Sequence, residues 1–294
     1  CSSIIVLLNY KSTIRPTVLP DISKALIKDK LSETYFEAYQ ILLKIYQEKF
    51  YEIKKSEVEK LLKPIEDFNI LRIYSFEDIK TLFQIKLNIC IQLFPYEEKY
   101  ALVFRETFET MIFKKIILEN NVLDARLYKK IIDIYSVSGF RKEVLVFKEK
   151  FSAEISEEIK EHYIKYSSAL LEYSLGNISQ ESILKLVSIN EFKYNPQLYL
   201  SVKKLLMKIY FDKQEFDLYH NLLESTRKYL QRKKDDLPSL CLNENLNFLN
   251  IFKFIVSAKN VDSALQKSLQ SKIQNPLEVL DRKWIVKTFL LQTE

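Results

Sequence analysis

The chain has 294 residues, 47% of them hydrophobic, and only two glycines, Gly139 and Gly176, so it can bury a large core but has few of the residues that tight hairpins and phosphate-binding loops use. It carries 45 basic and 39 acidic side chains, a net charge of +6 with a pI near 8.9. These figures exclude a disordered chain and argue against sheet proteins and Rossmann or P-loop phosphate sites.

The first residue is Cys1, followed by Ser2-Ser3. The expectation is a fragment or a processed product; a mature lipoprotein N-terminus, anchored to an envelope through Cys1, is the alternative. The early apolar run Ile4 to Leu8 is five residues long. A membrane span needs about 20, so no transmembrane segment is expected. Cys1, Cys90 and Cys241 have neither disulfide-framework nor zinc-ligand spacing. Cys90 and Cys241 have apolar neighbours and read as small buried hydrophobes. This favours a reducing compartment, and the expected location is cytoplasmic.

Apolar residues recur with a helical period at 33–48, and residues 1–95 read as an N-terminal helical region of weak repeat character. Ser75-x-x-Asp78 resembles a capping box before a helix at 78–93, and Pro95 opens another over 96–117. Helices follow at 125–136, 140–151 and 157–174. In Asn195-Pro196 the Asn caps a helix and the Pro takes its first position, where a missing N–H costs nothing. That helix, 196–211, carries Leu198, Val202, Leu205 and Ile209 on one face, widened by Tyr199, Leu206 and Tyr210. Phe216, Tyr219, Leu223 and Leu230 do the same over 215–231. Pro238 precedes a helix at 240–257, and Asn275-Pro276 repeats the Asn-Pro signal. Helices near 262–271 and 276–290 close the chain, with Trp284 covering exposed core.

The connections are short, which makes neighbouring helices antiparallel. Tyr135, Tyr173 and Tyr210 end first helices at intervals of 38 and 37 residues, followed by Ser138-Gly139, Gly176-Asn177 and Asp212-Lys213. That interval lies close to the tetratricopeptide period of about 34. The fold class is therefore all-α: antiparallel helix pairs stacked as a tetratricopeptide-like α-solenoid. Residues 96–259 form the repeats and 260–294 the capping helices. The usual Trp, Leu-Gly, Ala and Pro signature is mostly missing.

Ordered features carry a resemblance over about 83–257. They are Leu87-Asn88-Ile89-Cys90-Ile91, Phe104 and Phe108, Leu127-Tyr128-Lys129-Lys130-Ile131 and Leu205-Leu206-Met207-Lys208-Ile209-Tyr210. Leu222-Leu223-Glu224-Ser225, Tyr229-Leu230-Gln231-Arg232-Lys233-Lys234, Asn247-Phe248 and Lys283-Trp284-Ile285-Val286-Lys287 follow. With these the chain resembles a family of uncharacterised bacterial helical-repeat proteins. These are packing and capping residues, so the resemblance implies a fold and no activity. Such proteins carry a longer N-terminal helical region, which supports the fragment reading.

No enzyme motif is present. His162 shares a helix face with Glu158, but a metal needs at least three protein ligands and His220 lies in another repeat, so no metal or cofactor is expected. No Gly-x-Ser-x-Gly elbow occurs, and acidic pairs such as Glu97-Glu98, Glu157-Glu158 and Asp235-Asp236 read as solvated. The densest basic cluster is Arg227, Lys228, Arg232, Lys233 and Lys234. Cations at a helix C-terminus oppose the dipole, a sufficient structural reason; the functional reading is an anchor for an acidic partner or phosphate. Lys and Glu otherwise alternate as on solvated faces, so nucleic acid is not the favoured partner. The 18 Tyr and 19 Phe sit at core-like positions, and the face of Tyr163, Tyr166 and Tyr199 stays open. The expected function is a non-enzymatic scaffold that binds a protein or peptide on its concave face, a reading that fails if the chain's own helices fill that groove. An enzyme site assembled across repeats remains a further alternative.

Overall fold

The computed structural model describes residues 76–94, 97–119, 122–189, 195–257, 263–273, 277 and 279–290. Cys1, the helix expected at 33–48, Ser75, Pro95 and Asn275-Pro276 lie outside them. The described residues are mostly α-helical, as the apolar periodicity requires.

The chain divides into two compact units at Asn120/Asn121. The first unit holds α1 (Phe76–Leu93) and α2 (Lys99–Phe113), which pack on each other; Leu87, Cys90, Phe104 and Phe108 are buried. The second holds α3 (Ala125–Val137), α4 (Arg141–Phe151), a 3-10 turn at Ser152–Glu154, α5 (Glu157–Ser174), α6 (Gln180–Val187), α7 (Pro196–Asp212) and α8 (Phe216–Arg232). It continues with α9 (Ser239–Ser257), α10 (Ser263–Lys272), α11 (Val279–Ile285) and a π-helical turn at Val286–Leu290. Two-residue extended segments, Leu118–Glu119 and Val122–Leu123, precede α3.

Each start and stop has a local cause. Asp124, Ser179 and Asn195 cap α3, α6 and α7 by accepting from Leu127, Ser182 and Leu198 N–H. Four helices end with one residue at positive φ: Lys115, Gly139, Gly176 and Gln214. After each, the next N–H donates to the carbonyl five residues back: Ile116 to Met111, Phe140 to Tyr135, Asn177 to Glu172 and Glu215 to Tyr210. This is the Schellman closure. The accepting carbonyls are those of Met111, Tyr135, Glu172 and Tyr210, and Glu172 stands one residue before the Tyr173 expected from sequence.

Successive helices pack in chain order: α3 on α4, α5 on α6, α7 on α8, α9 on α10. First members also touch, α5 against both α3 and α7. The main core joins Leu200, Met207, Tyr219, Leu223, Phe248, Phe252 and Leu269 with Ile285 and Phe289 of the C-terminal segment. Cys90 and Cys241 are buried, as expected.

Candidate functional site

Helix α7 has little solvated surface. Buried positions run almost continuously from Leu198 to Ile209, and they include Lys204 and Lys208. Burying an ammonium requires a counter-charge. It comes from α11: Lys204 Nζ and Lys208 Nζ each donate to one oxygen of Asp281, both at 2.6 Å. Asp281 is 1% exposed. Burial alone would raise its pKa, but the two ammonium groups hold the carboxyl below the ordinary aspartate range.

Aromatic rings complete the enclosure. Lys204 and Lys208 lie 5.7 and 5.5 Å from the Phe248 ring centroid, and Lys208 is 5.9 Å from that of Trp284. Trp284 in turn packs against Phe211 at 5.7 Å, Phe252 at 5.0 Å and Phe289 at 5.5 Å. Beside it, the Tyr173 hydroxyl of α5 donates to Asp212 of α7 at 2.6 Å. Arg282, next to Asp281, is buried, and loss of water pulls its pKa down to about 10. Helix α11 also packs on α3. One short helix therefore meets α3, α7 and α9.

A second polar cluster lies on α3 and α5. Asp133 accepts from Lys129 Nζ at 2.6 Å and from the Tyr166 hydroxyl at 3.0 Å. Tyr163 accepts from the Asn195 amide, and burial pushes its phenol up to about 12. Tyr163 and Tyr166 are buried, whereas Tyr199 is half-buried against Tyr229.

The basic cluster is not one patch. Arg227 donates to Asn250 on α9 at 3.2 Å, and Lys233 pairs with Asp236 at 3.1 Å. Lys228 and Arg232, one turn apart and exposed, line a shallow open depression with Ser225 and Gln231. Lys234 is exposed in the turn that follows. His220 is exposed with its ring 4.9 Å from Tyr219, and His162 is half-buried on α5. Among the described residues, no group of three or more His, Cys, Asp and Glu side chains is placed to hold a metal ion.

Sequence reasoning missed Lys204, Lys208 and Asp281. The available signal was α7 itself, where lysines one turn apart sit in a helix with apolar residues on every side and no glutamate.

The class so defined is an all-α chain with a buried lysine–aspartate centre under its C-terminal segment. No protein-family model, no curated protein and no solved structure matches the chain. No helix among the described residues is long and apolar enough to cross a membrane.

Proposed function

We propose that the chain is a non-enzymatic helical-repeat protein that binds a protein or peptide. In this reading α3, α5, α7 and α9 are the first helices of successive antiparallel pairs, stacked as a tetratricopeptide-like solenoid. They line the inner face. The observation that carries the reading is the seating of α11 on this face. A short helix is gripped there through one carboxylate, one indole and two buried lysines. Laying a helix into a groove through a few anchor side chains is a recurrent mode of peptide recognition. The groove is thus partly filled by the chain itself, which moves the partner's access to the remaining face or to a state with α11 displaced.

The test is to immobilise the full chain, expose it to a native extract of its source and identify what is retained. A single protein in stoichiometric amount, released by substitutions at Tyr199 or Lys203 on α7, is the expected result. Retention of nucleic acid alone, lost steeply between low and moderate salt, overturns the reading. That outcome favours the second reading, an acidic partner on Lys228 and Arg232, which rests on their shared exposed depression.

A further inference from the structure

Resting on that reading, we propose that residues 277–290 are a built-in competitor, and that the partner is a helical segment presenting a carboxylate and, three residues later, an indole. Asp281 and Trp284 are three apart, so on a helix they project from one face. What they meet comes mostly from other helices: Lys204, Lys208 and Phe211 from α7 and Phe252 from α9, with Phe289 of the same segment also against Trp284. The receiving side is cationic and aromatic, and the segment is anionic and aromatic at the matching positions. The seat therefore specifies the chemistry of anything that replaces α11.

The segment is suited to leaving. Helix α11 spans seven residues before the backbone changes to a π turn. A helix that short is unstable in water, so it holds its form only while seated. It competes by proximity rather than by intrinsic affinity, with an effective concentration of the order of millimolar for a short tether. A partner with the same two anchors on a longer helix displaces it.

The experiment uses a fluorescein-labelled synthetic peptide of residues 277–290 and the full chain. Fluorescence anisotropy is read for the wild type and for the full-length Asp281→Asn/Trp284→Ala double variant, whose own segment is weakened. The double variant is expected to bind the peptide at least about ten-fold more tightly than the wild type, and to discriminate about ten-fold against a peptide carrying the same two substitutions. Circular dichroism confirms that it is folded. Should it not fold, hydrogen exchange of the wild-type chain with excess isotope-labelled peptide decides the matter: amides of 279–290 lose protection if the proposal holds and are unchanged if it does not. Absence of binding to a folded double variant overturns the proposal, as does equal binding of the substituted peptide. A stable dimer of the double variant, seen by light scattering, overturns it in favour of a second copy as occupant. A protein partner retained equally by wild type and double variant sinks this inference while leaving the proposed function standing.

Discussion

Asp281 balances two buried lysines, so its removal unbalances the whole centre. Taking the carboxylate away leaves two ammonium groups buried together, whereas taking one lysine leaves a simple buried pair. Breaking such a centre from one side costs about 3–5 kcal/mol, so Asp281→Ala is expected to lower the urea-unfolding free energy by that amount. Replacing Lys204, Lys208 and Asp281 together by Met, Met and Leu is expected to be near neutral, because the desolvation cost disappears along with the attraction. The same centre sets a pH dependence. The folded pKa of Asp281 lies below its unfolded value of about 3.9, so its contribution is fully present above pH ~4 and is lost as pH falls through the folded value. Trp284 fluorescence, followed from neutral pH downward, should stay constant to about pH 4 and then change; in Asp281→Asn that acid step should be absent.

At the scale of the element, four helix ends share one geometry. Gly139 and Gly176 sit at φ +76° with open space where a Cβ would go, so alanine there meets only the cost of the left-handed backbone. Gln214 occupies the equivalent place at φ 60° without being glycine. Gly176→Ala is expected to lower stability by about 1 kcal/mol and Gln214→Gly to raise it by up to about 1 kcal/mol, opposite signs from one geometry. At the other end, Asn195→Ala removes the cap of α7 and the amide donated to Tyr163; thermal unfolding should report a loss of about 1 kcal/mol or somewhat more. These ends were legible in the sequence because their chemistry is local: Asn-Pro, Gly after a tyrosine-bearing helix, an apolar period of three and four. Gln214 was not, since glutamine carries no signal for positive φ, and the sequence reading placed that turn at Asp212-Lys213.

The whole molecule depends on contacts that no local pattern announces. Lys204 and Lys208 find Asp281 at 77 and 73 residues' distance in sequence, so the lysines of α7 look like an ordinary solvated pair until α11 is in place. Trp284 as a cover over core aromatics was legible, because a large indole on an apolar helix face needs a packed seat; its partners on α7 and α9 were not. The consequence is one of cooperativity. In a stack of repeats each unit touches only its neighbours, and unfolding spreads from weak to strong repeats. Under the proposed stacking, helix α11 breaks that rule by joining α3 to α7 and, through Trp284, to α9. A chain ending at Lys272 is therefore expected to lose more than the apolar area its last segment covers: the second unit, which should unfold in one urea transition with α11 present, should unfold over a broader range with a lower slope once it is gone. The check is to follow two probes, one fluorophore on α4 and one on α8, through the same titration. Coincident curves in the full chain and separated curves in the shortened one would place the coupling in α11, whereas coincident curves in both would assign the cooperativity to the packing of α5 between α3 and α7.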